Sequence, residues 1–404
     1  MGVDDAWRVG KYDLVVFVIV NTNYMDYKIS MLLPTVQNPI PAHMIDLGLG
    51  DPDPSLFPVH ALARSAQELF KQGDASFLQY GAEQGNGYFR RVLAQFLGRN
   101  YGLPTEPENI FITTGISSAL ALLCTCFTQA GDTIFVEEPT YFLAPKIFAD
   151  HHLNIVSIPT DESGLIIEAL LEKLAKYSPK FLYTIPIHHN PSGATLTEAR
   201  RAQLVELAQQ HNFLILADEV YQLLSYGDHT PQSFAAHIDM ENIISLGSFS
   251  KILAPGLRLG WIQAHAQIIQ RLVTSGLLDS GGGMNPFTSA IIEGVIESGD
   301  QDRHLQRLIG TYRSRLIKMD LLLKEHLPDV TYAVPQGGYF FWVRLPESIN
   351  TAEFREQAKL LNVNFRPGTL FSCEGGLHHF MRLCFAHYDE EQLEQGILRL
   401  RECF

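Results

Sequence analysis

Between residues 75 and 285 short apolar runs alternate with helix-forming stretches, and this alternation constrains the fold more than any other feature. Phe213-Leu214-Ile215-Leu216-Ala217 is apolar on both faces with no turn residue inside it, as a strand covered from both sides must be. Phe181-Leu182-Tyr183-Thr184-Ile185 and Ile134-Phe135-Val136 read the same way, and Ile110-Phe111-Ile112-Thr113 leads through a glycine turn into an Ala/Leu-rich helix from Ala119. Strands joined through helices imply a mainly parallel sheet with helices on both faces. With 404 residues, 46% of them hydrophobic, the chain can bury large cores and has the length of two or three domains. Beyond residue 285 the pattern changes. A long polar helix from about Ile291 to His326 is followed by Gly337-Gly338-Tyr339-Phe340-Phe341-Trp342-Val343-Arg344 and by a run around Arg382, which read as strands of a smaller α+β domain. The glycine-rich stretch from Asp279 to Pro286 reads as the most flexible part and as a lining of the pocket.

Open α/β sheets bind ligands at the carboxyl ends of their strands, and the polar residues following these runs are suited to one ligand. Lys251 stands in Gly247-Ser248-Phe249-Ser250-Lys251, followed by Gly256-Leu257-Arg258-Leu259-Gly260. An amine can form an imine with an aldehyde while neighbouring hydroxyls and a guanidinium hold a phosphate, the pairing that pyridoxal 5'-phosphate (PLP) requires. A solvated lysine in a Ser/Gly loop is the plain alternative. Asp218, ending its strand, would keep a pyridine nitrogen protonated, and Tyr221 would reach the ring's 3' oxygen; otherwise Asp218-Glu219 caps a helix. Asn190, in the turn Asn190-Pro191-Ser192-Gly193, can donate its amide to the cofactor oxygen and a substrate carboxylate. A phosphate at the N-terminus of the helix from Ala119 would meet free N–H groups, and Tyr141 offers an aromatic plate for the ring. Arg382, in Phe380-Met381-Arg382-Leu383-Cys384-Phe385, is costly to bury without a planar anion, which a carboxylate supplies; its alternative is an edge-strand arginine facing solvent.

These motifs, in this order, resemble the class I/II aminotransferases, the PLP-dependent fold type I superfamily, and in particular its 2-aminoadipate aminotransferase and MocR effector-domain branch. The resemblance covers roughly residues 35 to 404. It implies a seven-stranded-type, mainly parallel sheet in a large PLP-binding domain over residues 66–289. Residues 35–65 and 290–404 would form the small domain, and residues 1–34 an N-terminal extension. It further implies Lys251 as the imine-forming lysine, Asp218 on the ring nitrogen, Tyr221 and Asn190 on the 3' oxygen, and Tyr141 stacked on the ring. Ile116, Ser117, Ser248, Ser250 and Arg258 would hold the phosphate, joined by Tyr80 from the neighbouring subunit of a homodimer. Arg382, Gly50 and Asn190 would take the substrate's α-carboxylate. The implied reaction moves an amino group from an α-amino acid to a 2-oxo acid. Diversion into elimination, replacement or cyclisation, on a basic amino acid for example, uses the same residues, and a non-catalytic ligand-binding domain is a further alternative.

Three departures from the family pattern stand out: Ile116 and Ser118 beside the phosphate where Ala and Gln are common, His189 in place of Gln before Asn190-Pro191, and Asp51 where an apolar residue is common. Asp51 would pair with a basic amino acid if it faced the substrate; exposed acids being common, it reads as facing solvent. A net charge of −14 with no Lys/Arg stripe argues against nucleic acid. Five cysteines and fifteen histidines without ligand spacing suggest reduced thiols, no metal and a cytoplasmic enzyme. Leu14-Val15-Val16-Phe17-Val18-Ile19-Val20 is too short to span a bilayer and lacks the flanks of a signal peptide, so no membrane role is expected.

Overall fold

The apolar runs become neighbours in one eight-stranded sheet. The computed structural model describes residues 43–227 and 230–404, with residues 37 and 39–41 besides; the expected extension, residues 1–34, lies outside the described residues. From edge to edge the strands are Ile110–Thr113, Gly260–Ala264, Ile243–Ser248, Leu214–Asp218, Phe181–Thr184, Thr133–Glu138, Asn154–Asp161 and Gly164–Leu165. The five from Ile243–Ser248 to Asn154–Asp161 are parallel, and Gly260–Ala264 runs antiparallel to both its neighbours. The strand beyond the expected seven is the two-residue edge Gly164–Leu165, folded back by a turn in which Ser163 N donates to Asp161 Oδ1 at 2.8 Å and Gly164 takes φ +90°.

Alternate residues feed opposite faces, as the pleat demands. Tyr183 and Leu216 join Phe111, Val136 and Ile262 in the core on one face, while Leu182, Ile215 and Ala217 join Phe135 and Leu204 on the other. Strands covered on both sides end where the packing ends, so their polar terminal residues converge along one rim. Register completes this: Thr113 and Ser248 both lie opposite Gly260, which draws the two strand ends together.

A second sheet of three antiparallel strands has Phe380–Cys384 at its centre, between Phe340–Arg344 and Arg366–Pro367. Arg382 is therefore on a central strand, buried to 2% exposure, and not on an edge. Ile45–Asp46 pairs with Val363–Asn364, tying the start of the described chain to this C-terminal part. Two expectations need correction. The long helix is two helices, Pro286–Glu297 and Asp300–His326, separated at Ser298-Gly299, where Gly299 takes φ +73° and Asp300 and Asp302 begin the new helix in its favourable acidic first turn. The stretch from Asp279 begins inside a short helix, Gly276–Gly281, and Gly283 then bridges to Gly81. All five cysteines are free thiols. Among the described residues no helix is long and apolar enough to cross a membrane.

Candidate active site

Lys251 follows the strand Ile243–Ser248 at the rim, and its Nζ donates to the carbonyl of Gly50 at 2.6 Å. Its backbone is held by Tyr339, whose hydroxyl donates to Lys251 O at 2.9 Å. Burial pushes the amine below the ordinary lysine range; Asp51, Cys384 and Asp218 oppose the shift and Arg382 adds to it.

Asp218 ends the neighbouring strand, and no helix starts there: residues 220–223 form a turn. Tyr183, one strand over, donates its hydroxyl to Asp218 Oδ2 at 2.8 Å, while Oδ1 receives only the longer bond from Val220 N at 3.3 Å. Burial raises this carboxyl to about 6, more than the hydrogen bonds lower it. This buried acid has no cation in hydrogen-bond contact among the described residues.

Arg382 is fixed from two sides. Its Nη1 donates to Asn190 Oδ1 at 2.7 Å and its Nη2 to Gly48 O at 2.7 Å, with the guanidinium 3.9 Å from the centroid of Phe340 and 5.0 Å from that of Phe371. Its Nε is buried without a partner. With Asn190 Oδ1 so engaged, the Asn190 amide N–H groups are left to donate elsewhere. Ser192 N donates to His189 Nδ1 at 3.3 Å, which puts the ring proton on Nε2, 3.2 Å from Glu137 Oε2; that approach is a close contact without hydrogen-bond alignment.

The expected phosphate residues gather where register joins Thr113, Gly260 and Ser248. Gly115, at φ +99°, lets the chain enter the helix Ile116–Phe127 with no side-chain cap, so the first-turn N–H groups of Ile116 and Ser117 face outward from the helix end. The helix starts at Ile116, three residues before the expected Ala119. Arg258 adopts φ +48°, rare for a residue other than glycine, and its Nη2 donates to Thr114 O at 3.0 Å; a Cβ on Gly115 would come within 2.7 Å of that same nitrogen. Ser250 N and Ser248 Oγ are 3.1 Å apart and the two hydroxyls 2.9 Å. Tyr141 lies among these groups: burial raises its hydroxyl to about 12, with Asp218, Arg382, Asp51 and Arg258 all contributing charge. Tyr221 is buried beside Tyr339 and Phe340, and its hydroxyl has no hydrogen-bond partner among the described residues. Tyr80 alone stands apart, 84% exposed.

Four supports escaped the sequence reading: Tyr183 under Asp218, Tyr339 on the Lys251 backbone, Gly48 O on Arg382 and Phe340 stacked upon it. The first two are aromatics in apolar runs, where the pattern says core. Their only signal is a hydroxyl at a position that needs none for packing.

Lys251, Asp218 and Arg258 follow or end strands of the eight-stranded sheet, and Arg382 reaches Asn190 from the three-stranded sheet. The chain belongs to the aminotransferase class I and II family, which it matches over residues 42–400, and its activity is that of a PLP-dependent aminotransferase. It is 36% identical to aromatic-amino-acid aminotransferase 1 of Thermococcus litoralis over 89% of this chain and 87% of that protein. It is 30% identical to 2-aminoadipate transaminase of Thermus thermophilus, over 87% of each. Kynurenine aminotransferase of Pyrococcus horikoshii, solved in complex with PMP, superposes with a TM-score of 0.84 at 32% identity, covering 90% of this chain and 91% of that one.

Proposed function

We propose that this chain binds PLP through Lys251 and transfers the amino group of an α-amino acid to a 2-oxo acid. The observation that carries the reading is the buried Asp218 carboxyl, raised to about 6 and with Oδ1 taking only a 3.3 Å bond, on the strand next to the one that leads to a half-buried lysine whose amine is depressed by desolvation. The residues fit the cofactor. Asp218 would meet its ring nitrogen, Tyr221 and the Asn190 amide its 3' oxygen, and Tyr141 its ring face. Ser248, Ser250, Arg258 and the N–H groups of Ile116 and Ser117 would take its phosphate. Bound there, the cofactor supplies an aldehyde for the amine and a cationic ring that draws electrons from the substrate's Cα.

The protein's own part is positioning and proton transfer. Arg382 holds the α-carboxylate bidentately, and the contacts from Asn190 and Gly48 fix its plane, so the Cα–H bond is presented in one orientation. Lys251 Nζ takes the Cα proton and returns it. Its burial-lowered pKa leaves more of the free amine at neutral pH than an exposed lysine has. Residues 66–289 carry the cofactor groups and Asn190, and residues 35–65 with 290–404 carry Gly50 and Arg382.

The exposed Tyr80 ring, with Leu78 and Phe70 more than half exposed nearby in sequence, supports a homodimer in which Tyr80 completes the partner's phosphate site. Five free thiols and no membrane-crossing helix among the described residues support a cytoplasmic location. The reaction is tested with an amino acid labelled at its α-nitrogen and an unlabelled 2-oxo acid. Label should appear in the amino acid formed from the acceptor, one equivalent per 2-oxo acid released. Label released as ammonia, or retained in an eliminated or cyclised product, would assign the site to elimination or cyclisation.

A further inference from the structure

The connection between the strands Arg366–Pro367 and Phe380–Cys384 brings an aromatic ring to the carboxylate clamp. It is closed tightly at its base, where a Cβ on Gly368 would come within 2.8 Å of Phe380 Cβ, and its turn is tied by Ser372 Oγ, which accepts from Gly376 N at 2.9 Å. Phe371 ends the short 3-10 helix Gly368–Phe371, is 1% exposed, and has its ring centroid 5.0 Å from the Arg382 guanidinium. Two hydrogen bonds clasp this segment to the end of the strand Thr133–Glu138 in the eight-stranded sheet. Thr140 N donates to Phe371 O at 3.0 Å, and Cys373 N donates to Glu138 Oε2 at 2.9 Å. Phe142 packs against the same segment, edge-on to Phe371 at 5.3 Å and to Tyr141 at 5.5 Å. Of the two acceptors one is a carbonyl and the other the half-buried Glu138 carboxylate, so one side chain of the clasp can be altered without touching the backbone. A charged acceptor makes the stronger hydrogen bond of the two.

We propose that Glu138 is a positioning residue for substrate recognition: by clasping the segment Phe371–Cys373 to the eight-stranded sheet, it holds the Phe371 ring against Arg382 and so helps set the orientation in which the guanidinium meets the substrate's α-carboxylate. The inference rests on the aminotransferase reading of the same site. Glu138 touches neither Arg382 nor the substrate; it acts through Cys373 N and the ring two residues before it. Without the carboxylate the segment keeps the Thr140 bond but loses its second anchor, and the Phe371 ring gains freedom to leave the guanidinium. Arg382 would keep its contacts with Asn190 Oδ1, Gly48 O and Phe340, so the clamp is weakened and not abolished. The loss falls on ligands that carry an α-carboxylate, because only they use the guanidinium.

The test uses the PLP-loaded enzyme and two ligands that differ only in the α-carboxylate, L-norleucine and n-pentylamine. The dissociation constant of each is read from the change in the cofactor's absorption spectrum, for wild type, Glu138→Ala, Glu138→Gln, Phe371→Leu and the double variant Glu138→Ala/Phe371→Leu. The preference for norleucine over pentylamine should fall about fivefold in Glu138→Ala, with pentylamine binding within about twofold of wild type. Glu138→Gln keeps an acceptor oxygen for Cys373 N and should retain most of the preference. In the Phe371→Leu background the ring that the clasp positions is gone, so adding Glu138→Ala should change the preference by less than about twofold. An equal loss for both ligands, a glutamine variant as impaired as the alanine variant, or additive losses in the double variant would overturn the inference while leaving the aminotransferase reading intact. A wild type that binds norleucine no more tightly than pentylamine would remove the carboxylate clamp of that reading, and the inference with it.

Discussion

Replacing Asp218 by asparagine should stabilise the cofactor-free protein while destroying its function. In the folded protein the Asp218 carboxyl titrates at about 6, raised from 3.8 chiefly by burial. That rise places a cost of about 3 kcal/mol on the folded state once the group is ionised. The sign follows from linkage. Well below pH 3.8 the carboxyl is protonated in both folded and unfolded chains, and no cost arises. As pH rises from 4 to 6 the unfolded chain loses this proton before the folded one does, so folded stability declines, and above 6 the cost is constant. Asparagine has the same shape, keeps an acceptor for the Tyr183 hydroxyl, and never ionises. Urea denaturation of PLP-stripped wild type and Asp218→Asn should therefore show a stability difference that moves in favour of the variant by roughly 1.5 kcal/mol between pH 5 and pH 8. The pH-dependent part is the decisive quantity, because any packing cost of the substitution is the same at both pH values. With PLP restored, the wild type should gain more stability than the variant, since only the carboxylate pairs with a cationic ring. A difference that is flat with pH, or that moves against the variant as pH rises, would refute the picture of a buried acid awaiting a cation.

Arg382→Lys should lower kcat/KM by roughly a hundredfold, about 3 kcal/mol, for amino acid and 2-oxo acid alike, because a lysine cannot span both carboxylate oxygens; steady-state kinetics with both substrates checks this, and a loss confined to one of them would contradict a shared carboxylate clamp. Light scattering should show a dimer at working concentration, and Tyr80→Phe should weaken PLP affinity roughly tenfold, as expected for one lost hydrogen bond to a charged phosphate; an active monomer, or unchanged affinity in Tyr80→Phe, would remove Tyr80 from the shared site.

Much of the fold was legible because the strands are covered on both faces, so their composition records their environment. Phe213-Leu214-Ile215-Leu216-Ala217 leaves no room for another assignment, and Asp218 marks where the cover stops. The edge strand Gly164–Leu165 was not legible: two residues carry no period, and the strand exists through a turn and a neighbour. The break at Ser298-Gly299 was hidden because a single glycine in a polar helical pattern is tolerated as often as it terminates a helix. In the site, the groups expected to touch ligand could be read because charged residues in apolar runs are costly and therefore conspicuous. Their supports could not. Tyr183 and Asp218 are 35 residues apart in sequence and joined only by strand pairing, and the carbonyls of Gly48 and Gly50 have no side chain to announce them.

The central claim is that Lys251 holds the cofactor through its amine. The most direct measurement is to load the protein with PLP, reduce with borohydride, digest, and locate the phosphopyridoxyl group by mass spectrometry. One group per chain on Lys251, with none incorporated in Lys251→Ala under the same conditions, is the predicted result. A group on another lysine, or no incorporation into the wild type, would contradict the account.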